Sequence, residues 1–119
     1  MARVVALIPD LLLGSRIQGM LSAAGHDVTL CAAAGPARSQ APGADVFVVD
    51  LASDEVDGAT LVESMRQSRE LGPTRTLGFY AHLDTAARSR AKDAGFDLAV
   101  PRSRLARDGD ELVRRLAST

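Results

Sequence analysis

The sequence predicts an α/β fold, a three-layer α/β/α sandwich around a five-stranded parallel sheet. Three observations predict it. Five short apolar runs recur along the chain, the segments between them repeat apolar residues at helical spacing, and only four aromatic rings are present (Phe47, Phe79, Tyr80 and Phe96). Apolar runs without alternation read as strands buried on both faces, as in parallel sheets covered by helices. A core of Val, Leu, Ile and Ala lets helices pack closely on such a sheet.

The first run, Val4-Val5-Ala6-Leu7-Ile8, stops at Pro9-Asp10. Ile17, Met20, Leu21 and Ala24 then fall at i, i+3, i+4 and i+7, one face of an amphipathic helix that Gly25 should end. Val28–Cys31 reads as the second strand. The stretch 32–43 holds two prolines and two glycines, so only a short or irregular helix fits there. Val46–Val49 is the third strand, and Leu61, Val62 and Met65 mark a helix that Gly72-Pro73 should end. Thr76–Phe79 is the fourth strand. Ala86, Ala87, Ala91 and Ala94 form a small-residue helix closed by Gly95, and Leu98–Val100 is the fifth strand. Asp108 is the expected cap of a last helix with Leu112, Val113 and Leu116 on its apolar face. Right-handed crossovers turn this order into one parallel sheet with helices on both sides.

A chain of 119 residues makes one domain, expected to span 1–119 with no output domain. An apolar share of 46% against 24% charged residues excludes a disordered polymer. Fourteen basic and fifteen acidic side chains leave a net charge of -1, which speaks against a dedicated nucleic-acid or anionic-membrane binder. Few rings also leave no stacking platform for single strands. The single cysteine, Cys31, reads as a small buried hydrophobe, and with His26 and His82 as the only histidines no ordinary zinc centre can be assembled. No apolar run spans a membrane and no cleavable leader is recognisable, so a cytoplasmic, reduced location is expected.

In an open parallel sheet, chemistry collects at the carboxyl ends of the strands. There the sequence places Asp10 after the first strand, Asp50 after the third, Tyr80-Ala81-His82 after the fourth and Pro101-Arg102-Ser103 after the fifth. Asp50 stands out, ending a very apolar strand and opening a polar loop. A loop-capping carboxylate is the plain reading; Asp10 on the neighbouring strand favours covalent or metal chemistry instead. Paired carboxylates repel unless a cation or a proton relieves them. His82 reads as a solvated loop residue and His26 as a turn residue in Gly-His-Asp. The arginines from Arg102 to Arg115 are offset by Asp108, Asp110 and Glu111, which suits a solvated or ion-pairing helix face. Leu11–Arg16 holds the single Gly14 and no lysine, so it is no phosphate loop.

With these residues in register, the chain resembles the receiver domain of bacterial response regulators over its whole length. The stretch from Asp50 to Asp57-Gly58 is similar to the family's phospho-acceptor loop. Tyr80, 30 residues after Asp50, and Arg102, 22 residues further, fall at its switch Ser/Thr and its lysine. Ala94-Gly95-Phe96-Asp97 resembles the step before the fifth strand. The resemblance implies a flavodoxin-like topology, Asp50 as phospho-acceptor, Arg102 as phosphoryl contact and Tyr80 at the switch position. It also implies Mg²⁺ held by Asp10, Asp50 and the backbone carbonyl of Ala52. The implied partners are a histidine kinase or phosphotransfer protein, a downstream protein target, and a second copy of the chain pairing through the fourth and fifth helices.

Several positions depart from the family pattern. Pro9 removes one carboxylate of the acidic pair, which weakens Mg²⁺ binding without abolishing it, since Mg²⁺ accepts one or two carboxylates and keeps its waters. Tyr80 replaces a small hydroxyl, Arg102 exchanges a point charge for a planar fork, and Ser103 stands where proline is usual. Two functions are therefore expected from different classes. One is a stand-alone phosphorelay receiver acting through protein–protein interaction rather than as an enzyme. The other is a phosphorylation-independent pseudo-receiver, a binding or dimerisation scaffold favoured by Pro9 and Tyr80. A third reading, a small-cofactor binder of flavodoxin-like shape, lacks both aromatic rings and a glycine-rich phosphate loop.

Overall fold

The computed structural model describes residues 1–119. The strands are β1 (Arg3–Leu7), β2 (Asp27–Cys31), β3 (Val46–Asp50), β4 (Arg75–Tyr80) and β5 (Leu98–Pro101). The helices are α1 (Leu11–Ala23), α2 (Ala34–Gln40), α3 (Gly58–Gln67), α4 (Thr85–Ala94) and α5 (Arg102–Ala117). All pairings are parallel, in the order β2-β1-β3-β4-β5. The chain order thus reverses beside β1, which puts the switch point between β1 and β3.

Burial follows position in the sheet. Every residue of the central strand β3 is buried, whereas the edge strands β2 and β5 are largely half-buried. For those two, the expectation of burial on both faces overshoots, because an edge strand is covered by fewer neighbours. Side chains of the inner strands alternate between two cores, since successive residues point to opposite faces. Val4, Ala6, Val46, Val48, Leu77 and Phe79 meet α1 and α5 through Ile17, Leu21, Leu105 and Leu112. Val5, Leu7, Phe47 and Val49 meet α2 and α3 through Ala37, Val62 and Met65.

The glycine stops hold for α1 and α4. Gly25 and Gly95 follow their last turns at φ +97° and +94°, a region that side chains with a Cβ rarely enter. The α2 helix is short, as its prolines require. Two boundaries differ from the sequence reading. Helix α3 ends at Gln67, with Arg69 at φ +60°, so Gly72-Pro73 belongs to the turn before β4. Helix α5 starts at Arg102, directly after Pro101, and Asp108 therefore lies in its interior rather than at its start. Nothing between Ser103 and Asp108 breaks a helix, and Gly109 is a packing glycine. A Cβ there would come within 2.5 Å of Met20 Cε on α1. Asp108 instead pairs with Arg107 at 3.1 Å and with Arg104 at 3.9 Å.

His26 also differs from its reading as a turn residue. It is buried, and its Nδ1 accepts the Ala2 N–H at 3.0 Å. That fixes the ring proton on Nε2, which donates to Asp110 Oδ1 on α5 at 2.7 Å. The imidazole thus ties the start of β1 to the last helix. Cys31 is buried and free, as expected. No helix is long and apolar enough to cross a membrane.

Candidate functional site

The carboxyl edge of the sheet gathers the residues at strand ends. Asp50 closes β3 and is only 4% exposed. Its Oδ1 accepts the Ala52 N–H at 2.8 Å, an arrangement that turns the chain sharply out of the strand. The Leu51 N–H still donates to the Phe79 carbonyl at 2.8 Å, which fixes the height of the loop against β4. Gly58, the first residue of α3, lets the loop return over the strand end. A Cβ there would lie 2.4 Å from Val49 Cγ1 and 3.2 Å from the Asp50 carbonyl oxygen.

Burial pushes the Asp50 carboxyl above the usual carboxylate range. The backbone amides of Ala52 and Ser53 and the charge of Arg102 act against that shift, and the charge of Asp10 adds to it. Asp10 and Arg102 are therefore the two charges that Asp50 feels, one of each sign. Asp10 is exposed and caps α1, its Oδ1 accepting the Leu13 N–H at 3.0 Å. Arg102 opens α5 and makes no side-chain hydrogen bond or ion pair.

Tyr80 ends β4 opposite Pro101 of β5 and is 6% exposed, so its ring is largely covered. Its hydroxyl bonds no protein group, and no buried side-chain polar atom lacks a partner, so the hydroxyl reaches solvent. Ala52 contacts Asp50 through its N–H. His82 is exposed in the loop after β4, as expected, yet it shares a cleft with Asp10 and Arg102. The loop from Asp50 meets α4 on its other side. There Asp57 caps α3 through the Thr60 N–H at 3.1 Å and accepts from Arg90 Nη2 at 2.6 Å. Arg90 and Arg16, the latter on the wall of the cleft, were not among the site residues expected from sequence. Asp57 followed by glycine and an apolar i, i+1, i+4 set was a legible N-cap signal; its arginine partner, 33 residues on, left none.

The donor set for a cation is small. Nowhere in the molecule do three His, Cys, Asp or Glu side chains gather as metal ligands, and Pro9 offers no carboxylate beside Asp10. Asp10 and Asp50, close enough for their charges to interact, supply two carboxylates at this edge, and Mg²⁺ takes one or two carboxylates while retaining waters.

No family model and no curated protein matches this sequence. Solved structures match it closely in shape. The receiver domain of a Francisella response regulator superposes with a TM-score of 0.85 at 18% identity, covering 99% of this chain and 98% of that one. The chemotaxis protein CheY4 of Vibrio cholerae gives 0.84 at 19% identity, covering 98% of each chain. The receiver domain of a sensor histidine kinase of Pseudomonas aeruginosa PAO1, solved with a magnesium ion in its active-site cleft, gives 0.86 at 17% identity, covering 99% and 98%. The flavodoxin-like fold of this chain is thus the one that response-regulator receiver domains adopt.

Proposed function

We propose that this chain is a receiver module of phosphorelay signalling, with Asp50 as its phospho-acceptor. The observation that carries the reading is the buried Asp50 carboxylate at the end of the central strand, under the charges of Asp10 and Arg102. A carboxylate oxygen of Asp50 attacks the phosphorus of an N-phosphorylated histidine on a kinase or phosphotransfer protein. The P–N bond breaks, its electron pair stays on the imidazole nitrogen, that nitrogen takes up a proton, and an acyl phosphate forms. Arg102, the positive charge that Asp50 feels, neutralises charge on the transferred group. Mg²⁺, held by Asp10, Asp50 and the Ala52 carbonyl, would supply further positive charge at the phosphoryl oxygens. The module then acts by binding a downstream protein rather than by turnover.

The runner-up is a scaffold that has lost phosphoryl chemistry. It draws on Pro9, which leaves the site two carboxylates, and on Tyr80, a bulky and largely buried ring where the family pattern has a small hydroxyl. A titration of the amide NMR spectrum with Mg²⁺ and beryllofluoride, which mimics a phosphoryl group on Asp50, separates the two. Shifts at Asp10, Asp50, Tyr80 and Arg102 that vanish in Asp50→Asn support the receiver. A spectrum unmoved at millimolar Mg²⁺ and beryllofluoride leaves the scaffold.

A further inference from the structure

Beside the acceptor, between α1 and the start of α5, lies a cleft of about 430 Å³ that Asp50 does not line. Three nitrogen-bearing side chains open onto it from three separate elements: Arg16 on α1, His82 in the loop after β4 and Arg102 on α5. None of the three takes part in a side-chain hydrogen bond or an ion pair. By contrast, Arg38, Arg66, Arg75, Arg90, Arg104, Arg107 and Arg114 all hold carboxylates. The Ser103 hydroxyl, likewise without a partner, sits on the same wall. Asp10 is the only acid lining the cleft, and one of its oxygens is already engaged by the Leu13 N–H. Leu12, Leu13, Ile17 and Ala106 complete the lining with an apolar side.

Two guanidinium groups, an imidazole N–H and a hydroxyl around one concavity match the oxygens of a tetrahedral dianion, and guanidinium is the group best shaped to bind phosphate through paired N–H bonds. The first turn of α5 carries no acid and its N-cap, Pro101, no capping side chain, so the partial positive charge of that helix end acts in the same direction. The apolar side fits a small organic body attached to the phosphate. The volume lies within the range of small-molecule clefts.

We infer that the cleft bounded by Arg16, His82, Arg102 and Ser103 is a phosphomonoester site, separate from the acceptor and filled without a metal ion. The site requires no phosphorylation of Asp50, so it stands or falls apart from the receiver reading. It does share Arg102 with that reading, and an occupant would draw this guanidinium away from Asp50. The phosphate can arrive on a free small molecule or on a partner's phosphorylated side chain.

The test is an amide NMR titration of the metal-free protein with inorganic phosphate, phenyl phosphate and a short phosphoserine peptide. Sodium chloride at matched ionic strength is the control. Saturable shifts confined to Leu12, Arg16, His82, Arg102 and Ser103 are expected with phosphate. Phenyl phosphate should bind several-fold more tightly, Arg16→Gln should weaken binding at least tenfold, and Asp50→Asn should leave it intact. A peptide binding more tightly than phenyl phosphate supports the site and assigns its phosphate to a protein; the reverse order supports it and assigns a small molecule. Shifts that chloride reproduces, that survive Arg16→Gln, or that never saturate overturn it. Because Arg16 is exposed and unpaired on α1, its replacement leaves the fold intact.

Discussion

Arg90 on α4 reaches the loop after Asp50 through Asp57: its Nη2 donates to Asp57 Oδ2 at 2.6 Å and to Thr60 Oγ1 at 2.8 Å. Asp57 therefore does two things at once, capping α3 and fastening α4 to the loop that begins at Asp50. This link matters because α4 buries only Ala91 and Ala94, the smallest apolar contact of any long helix in the fold. The pair is a side-chain link between that loop and α4.

The two partners separate on mutation. Asp57→Ala removes a helix cap and should cost about 1 kcal/mol in urea unfolding. Arg90→Ala should cost far less, because both side chains are half or more exposed and such pairs contribute little. The Arg90 hydrogen bond holds the Asp57 carboxyl below its ordinary range. Its contribution is therefore present at neutral pH and is lost as pH falls through that depressed value, so the Asp57→Ala deficit should shrink in acid. A deficit constant down to the acid limit would refute the electrostatic part.

Asp50 behaves in the opposite sense. Burial raises its pKa, so the folded protein holds the proton more tightly than the unfolded chain. Stability is then lost as pH rises from the unfolded value, about 3.9, through the raised folded value, and it stays lost above that. Asp50→Asn removes this burden. Its unfolding free energy in urea should match the parent near pH 3 and exceed it at pH 7, by an amount on the order of 1 kcal/mol, the size typical of relieving a functional-site strain. A variant less stable than the parent at pH 7 would show that the Ala52 and Ser53 amides and Arg102 outweigh desolvation.

A third measurement concerns His26. His26→Ala leaves the Ala2 N–H without its acceptor in a buried position and opens a cavity, and both effects together should cost roughly 2–3 kcal/mol. Hydrogen exchange at Ala2 and along β1 should rise more than at β4, since the imidazole is what ties Ala2 to α5. Equal acceleration across the sheet would mean that the ring only fills space.

These cases mark what sequence patterning can and cannot carry. The runs Val4–Ile8 and Val46–Val49 announced their strands because a strand covered on both faces needs apolar residues at every position, a local requirement. Gly25 and Gly95 announced helix ends because only glycine readily adopts the left-handed turn. Asp10, Asp50, Tyr80 and Arg102 could be placed at one edge because topology alone puts parallel strand ends together. His26 looked like a turn residue because its partner Asp110 lies 84 residues away, and Asp108 looked like a cap because the contact that makes Gly109 a packing residue is with Met20. Arg16 carries no such local signal either, because only the packing of α1 against α5 brings it to the cleft of Arg102.

Two glycines of similar local character give opposite outcomes. Gly58 has no room for a side chain, since its Cβ would meet Val49 Cγ1 at 2.4 Å and the Asp50 carbonyl at 3.2 Å. Val49 is β-branched and fully buried, so the first clash has little room to relax, and the second yields only by moving the backbone of Asp50. Gly58→Ala should therefore cost about 1–3 kcal/mol and shift the amide resonances of Asp50 and Ala52. Gly19 lies within α1 with nothing inside 4 Å of its would-be Cβ. Gly19→Ala should stabilise the protein by about 0.5–1 kcal/mol through helix propensity alone, and leave those resonances in place. Measured together in one denaturation series, the pair isolates close backbone approach at Asp50 from the general cost of glycine in a helix; a Gly58→Ala variant as stable as Gly19→Ala would mean that the loop, not the strand, yields.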